Sequence, residues 1–285
     1  MEQVSTSQRL QNAVLRVTAR DNSSLDFTRT GRRKAFYGAL PEGTVSLGQH
    51  VLVLGIPDES TLQFTAREIG SSGTIRLVEH QKALLERGRE YTTPLEKQLG
   101  YCNWSFEHAP LDDLSTDPAF LASSLAEQPV TNVQAYQDLH EALNVQRSER
   151  PWIATGKTDV VIIDQAVNRI VASQIKPLLA EAWRVLTPGG HLVLRLLLAD
   201  EHASIDLPKM PDGTVFLSIP HETEIATLLQ QGGYYGIRYT WRGDLPVKVI
   251  HGVEVRSFVI EAYKQEAALQ LDRGHAVVYR GPWKV

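Results

Sequence analysis

Three short apolar runs constrain this chain more than any other feature: "HVLVLG" at 50–55, "TDVVIID" at 158–164 and "HLVLRLLL" at 191–198. Each is a continuous apolar stretch of strand length bounded by turn signals, the pattern of a strand buried on both faces. "STLQFTAREIG", "HQKALLERGREYTT", "ASQIKPLLAEAWRVL" and "HETEIATLLQQGG" read as helices set among them, and "GTIRLVE" and "CNWSFEHAPL" as two further strands. Strands alternating with helices predict an α/β fold, a doubly wound and mostly parallel sheet covered by helices on both faces. "YGIRYTWRG" and the alternating "VEVRSFVIEAYK" form a late pair, the last strand antiparallel, finishing one edge.

Punctuation residues set the expected boundaries. Ser60 or Thr61 caps the first helix and Gly70 stops it, and "TPGG" at Thr187–Gly190 closes the helix before the fifth strand. A helical insertion of about residues 117–150 begins near Pro118 and is broken at Pro129. Residues 1–45 are mostly polar and read as an N-terminal arm, with a short helix around Gln8–Ala19 and a basic turn, "TGRRK"; residues 46–285 form the single α/β domain.

Composition narrows the classes of function. With 285 residues and 42% hydrophobic content, the chain can bury a full core. A net charge of −4 gives no reason to expect nucleic acid or an anionic membrane as partner. One cysteine, Cys102, excludes an internal disulfide framework and a cysteine-rich metal site; it is expected to be a small buried hydrophobe. A reducing, cytoplasmic setting fits that usage. Met1–Arg9 is too polar for a signal peptide, and "HLVLRLLLA" is too short to span a bilayer and contains Arg195.

In sheets of this kind ligands bind outside the carboxyl ends of the strands. That places attention on Gly55–Thr61, Glu79–His80, the stretch around Pro110–Asp113, and Asp164–Asn168. His80, His108 and His140 lack metal-ligand spacing, so no metal site is expected.

"AEAWRVLTPGGHLVL" (Ala180–Leu194) resembles the helix–turn–strand signature of class I S-adenosylmethionine-dependent methyltransferases. "HVLVLG", an acid ending the second strand at Glu79, and "DVVIID" follow the same order and spacing. "GGYYGIRYTWRGDLPVKVIHGVEVRSFVIEAYK" and "DRGHAVVYRGPWK" look like the C-terminal part of the arsenite-methyltransferase branch. The resemblance covers most of Gly48–Lys284.

The resemblance assigns roles to residues of this chain. The family's first loop reads Asp-Leu-Gly-x-Gly-x-Gly; laid on this chain, its acid falls on Val53 and its glycines on Gly55, Pro57 and Glu59. Only Gly55 keeps the backbone freedom that close approach to the cofactor needs. Pro57 has no N–H to donate, and Glu59 puts a charged side chain where the methionine half would lie. Glu79 corresponds to the acid that takes both ribose hydroxyls, with His80 beside it; Asp112 and Asp113 sit where an adenine-contacting acid is placed, and Asp164 follows the fourth strand. Each has a plainer reading as a strand-end acid, turn or cap. The family's arsenic-binding cysteines fall at Gln165 and near Val215, so arsenite is not the expected substrate.

Three functional readings stand side by side. The first is a pseudoenzyme with a degenerate glycine loop, acting as a binding, scaffold or regulatory subunit beside an active paralogue or other subunits. The second is an active methyltransferase that uses S-adenosylmethionine through a rebuilt loop on a small organic acceptor. The third is a repurposed enzyme whose old cleft takes another small molecule, with Glu59 or Asp164 as acid or base.

Overall fold

The computed structural model describes residues 39–202 and 215–265. The expected helix at Gln8–Ala19, the "TGRRK" turn and "DRGHAVVYRGPWK" lie outside the described residues. Of the segment read as an arm, residues 39–45 pack against the body, with Leu40 and Val45 buried.

An eight-stranded sheet organises the chain. The strands are β1 (His50–Leu54), β2 (Thr74–Glu79), β3 (Trp104–His108), β4 (Thr158–Asp164), β5 (Leu186–Ala199), β6 (Tyr234–Arg242), β7 (Lys248–Ile250) and β8 (Val253–Lys264). Their order is β3-β2-β1-β4-β5-β8-β6, with β7 paired to β8. The first five strands run parallel to one another. The antiparallel edge is β8 with the strands it carries, pairing antiparallel with β5, β6 and β7. The fold class read from the sequence is the one observed.

Seven helices are described: α1 (Glu59–Ile69), α2 (Lys82–Leu99), α3 (Pro118–Glu127), α4 (Val133–Glu149), α5 (Ala166–Arg169), α6 (Ala172–Val185) and α7 (Glu222–Gln231). The central strands feed both layers of the core. Leu52, Leu54, Val161 and Ile163 face one cluster with α6 and α7, while Val51, Val53, Val160 and Ile162 face the other with α1. That two-sided burial is why these strands lack polar alternation.

Several boundaries differ from expectation, each for a local reason. Asp58, not Ser60 or Thr61, is the N-cap of α1; its carboxylate accepts from the Thr61 N–H at 2.9 Å. α2 does not end before Pro94 but runs through it to Leu99, because Leu95 on the following turn is buried in the core. "TPGG" does not form a free turn. The residues lie within β5 as an irregularity between the pairs Thr158–Leu186 and Val160–His191, with Gly189 at φ +81°. Lys264 Nζ donates to the Trp183 and Leu186 carbonyls there, satisfying backbone groups that α6 leaves open.

One further expectation is corrected. Cys102 is exposed, lying in the connection that precedes β3 rather than in the core. Of the tyrosines in "GGYYGIRYTW", Tyr234 is buried and Tyr235 and Tyr239 are exposed, because β6 forms the outer edge of the sheet.

Candidate functional site

The chain leaves β1 through Gly55, whose φ of +100° belongs to glycine and whose N–H bonds the Val78 carbonyl at 2.8 Å. The backbone then passes Pro57, whose carbonyl accepts from the Tyr91 hydroxyl at 2.6 Å. Asp58 follows and starts α1. This brings the carboxyl ends of β1, β2, β4 and β5 together around two arginines.

Arg195 comes from the middle of β5, opposite Asp164 in the β4–β5 register. Its Nη1 donates to Asp164 Oδ2 at 2.6 Å and to Thr61 Oγ1 at 3.0 Å, and its Nη2 to Asp58 Oδ2 at 3.2 Å. Asp164 is wholly buried and Arg195 nearly so. One guanidinium thus ties β4, β5 and the first turn of α1 into a single unit.

Arg169 closes the other half. Gln165 takes a left-handed conformation at φ +58° at the exit of β4, where α5 begins. Arg169, at the end of α5, donates through Nη2 to Glu79 Oε2 at 3.0 Å and to the Asp164 carbonyl at 3.1 Å. Glu79 Oε1 accepts from the Gln81 N–H at 2.9 Å and lies 3.0 Å from His80 Nδ1. Both carboxylate oxygens of Glu79 are therefore engaged within the protein. A Cβ added to Gly55 would stand 2.6 Å from Arg169 Nη2 and nearer still to the Asp164 carbonyl.

Electrostatics follow from burial and pairing. Burial alone would raise the Glu79 carboxyl, but the His80 and Gln81 contacts and the Arg169 charge hold it below its ordinary range. Asp58 is likewise lowered, since Arg195 and the bonds from Ser60 and Thr61 outweigh burial. Asp164 is raised: full burial dominates, Arg195 opposes it, and the nearby Asp58 charge adds to it. Burial works against the Arg195 charge, yet Asp164 and Asp58 together hold it above its usual value. Asp164 Oδ1 and Arg169 Nε are buried without a hydrogen-bond partner.

The structure thus gathers Gly55, Glu79, His80 and Asp164 into one cluster, joined by Asp58, Arg169 and Arg195. The other expected site residues are placed elsewhere. Glu59 is exposed in the first turn of α1. Asp112 accepts from Gln174 Nε2 of α6 at 3.0 Å. Asp113 accepts from the Ser115 and Thr116 N–H groups, from the Thr116 hydroxyl at 2.6 Å and from Arg147 of α4 at 2.9 Å. Asp113 thus fastens the α3–α4 insertion to the body, while Asp112 ties the loop before it to α6.

Asn168, within α5, is fully buried and stitches the same region. Its amide donates to the Leu197 and Ser218 carbonyls and accepts from the Leu197 N–H.

The roles of Asp58, Arg169 and Arg195 were missed in the sequence. One signal was present for Arg195. An arginine inside a continuous apolar strand needs a buried carboxylate partner, and the register of a parallel neighbour offers Asp164. Arg169 carries no such pattern, because its partnership with Glu79 spans 90 residues.

Comparison with solved structures decides the fold. An arsenic(III) S-adenosylmethionine methyltransferase from Chlamydomonas reinhardtii superposes with a TM-score of 0.55 and 18% identity, over 85% of this chain and 73% of that one. The chain has the class I methyltransferase fold. The 1,6-didemethyltoxoflavin N1-methyltransferase of Burkholderia thailandensis, solved with S-adenosylhomocysteine bound, agrees at a TM-score of 0.51 and 13% identity, over 93% and 94% of the two chains. At these identities the likeness concerns the methyltransferase fold alone. No protein-family model and no curated protein sequence matches the chain. Among the described residues, no helix is long and apolar enough to cross a membrane.

Proposed function

We propose that this protein uses the methyltransferase fold without S-adenosylmethionine, as a non-catalytic binding, scaffold or regulatory subunit. One observation carries the reading: the Arg169–Glu79 ion pair, set against Gly55. In the family the sequence resembles, the acid ending the second strand holds the two ribose hydroxyls. Here Arg169, Gln81 and His80 engage that acid instead.

The residues do not fit the cofactor on this reading. The cradle that a glycine leaves open is filled by a guanidinium and a carbonyl. Pro57 lacks an N–H, and its carbonyl is taken by Tyr91. The cleft's acids are consumed in holding strands together. A subunit of this kind offers its surface to a protein partner, for example an active paralogue.

A second reading keeps a methyltransferase acting on a small organic acceptor, with Arg169 leaving Glu79 when cofactor arrives. Its support is Glu79 itself, held ionised at the expected strand end. The repurposed-enzyme reading has less support, because Asp164 is wholly buried behind Arg195 and Glu59 faces solvent.

Calorimetric titration with S-adenosylmethionine and S-adenosylhomocysteine tests the choice. The subunit reading expects no heat of binding at millimolar ligand. Micromolar binding that disappears in Glu79→Ala would overturn it in favour of the enzyme.

A further inference from the structure

The α3–α4 insertion presents an apolar surface that the rest of the described protein does not cover. α3 buries none of its ten residues, although "PAFLASSLAE" is largely apolar. α4 turns Ala135 and Leu143 inward and leaves Val133 and Tyr136 73% and 57% exposed. Phe120, Leu125 and Val130 add to this surface. A shallow depression follows the outer face of α4, lined by Tyr136, Gln137, His140, Glu141 and Asn144. An accumulation of exposed apolar side chains on one hairpin marks a docking surface.

We propose that residues 3–20 of this same chain dock on that face. Leu10, Ala13, Val14 and Val17 recur at i, i+3, i+4 and i+7, the apolar stripe of an amphipathic helix. Arg9, Arg16 and Arg20 supply positive charge, and no acid lies between residues 3 and 20. The insertion is complementary: Asp117, Glu127, Asp138, Glu141 and Glu149 outnumber its two arginines, Arg150 and Arg147, the latter held by Asp113. An apolar stripe beside arginines fits an apolar surface on a hairpin with an excess of carboxylates. Residues 21–38 connect the segment to the body; extended, a linker of that length reaches up to about 60 Å. The inference does not depend on what the old cleft binds.

Hydrogen exchange on the full-length protein tests it, comparing wild type with Leu10→Asp/Val14→Asp. The amides from Val133 to Asn144 are expected to exchange at least tenfold faster in the variant, while those of β4 and β5 stay unchanged and report an intact fold. A cross-link gives a second readout. In a Cys102→Ser background, Val14→Cys and Gln137→Cys are expected to form an intrachain disulfide under mild oxidation. Equal exchange of α4 in both proteins overturns the proposal. So does a disulfide that links two chains, which would assign the face to a second copy.

Discussion

Arg195 Nη1 lies 2.6 Å from Asp164 Oδ2, with both side chains buried beneath the strand ends where this fold otherwise opens toward a ligand. The same guanidinium reaches Asp58, so two carboxylates share one cation. Arg195→Met would leave both acids without their charge partner. Removing one member of a buried ion pair costs about 3–5 kcal/mol. Urea unfolding should show a loss of that size for Arg195→Met, and a smaller one for Arg195→Met combined with Asp164→Leu.

The Arg169–Glu79 pair gives a second test through coupling. Arg169→Ala leaves a buried carboxylate facing only Gln81 and His80, and should also destabilise by about 3–5 kcal/mol. Arg169→Met/Glu79→Met removes both charges at once. Its unfolding midpoint should lie above that of Arg169→Ala. Simple additivity of the two single losses would contradict the direct pairing.

Gly55→Ala probes crowding and backbone together. The new Cβ would meet Arg169 Nη2 and the Asp164 carbonyl, at a φ of +100° that alanine resists. The expected cost is about 2 kcal/mol or more. For a chain of this size that lowers Tm by roughly 4–8 °C, measurable by calorimetry.

Acid should weaken the fold through the lowered carboxylates. Glu79 and Asp58 have folded-state values below their ordinary 4.5 and 3.8, so each stabilises fully above those values and loses its contribution as pH falls through the lowered one. Asp164, raised by burial, has the opposite sign: its contribution is complete below 3.8 and declines as pH rises through its folded value. Urea midpoints measured from pH 6 down to pH 3 should fall for wild type and fall less for Glu79→Gln.

Asn168 makes three hydrogen bonds from a fully buried position. At about 1 kcal/mol each, Asn168→Ala should cost about 3 kcal/mol. Far-ultraviolet spectra should still report native helix and strand content at 20 °C.

The strands were legible because burial on both faces writes a continuous apolar run, and β1, β4 and much of β5 carry one. Boundaries were less legible where local rules met tertiary packing. Pro94 signals an end to α2, yet burial of Leu95 carries the helix past it. "TPGG" signals a turn, yet pairing with β4 on both sides draws it into β5. In the site, Gly55, Glu79 and Asp164 could be found from their places at strand ends. The arginines that engage them could not, since nothing local to Arg169 points at Glu79. Asp112 and Asp113 stand at strand-end positions too, but their partners, Gln174 and Arg147, belong to helices whose placement only the fold reveals.

The two-arginine network also bears on how the molecule assembles. Arg195 and Asp58 are 137 residues apart in the chain, and Arg169 and Glu79 are 90 apart. Contacts of such sequence separation repay their loop-closure entropy only after β1, β2, β4 and β5 are already side by side. They are therefore expected to form late, after the rate-limiting step, which φ-values near zero for Arg169→Ala and Arg195→Met would show. On that order, weakening them should accelerate unfolding and leave the refolding rate nearly unchanged, so that the filled cleft would act as a source of kinetic persistence.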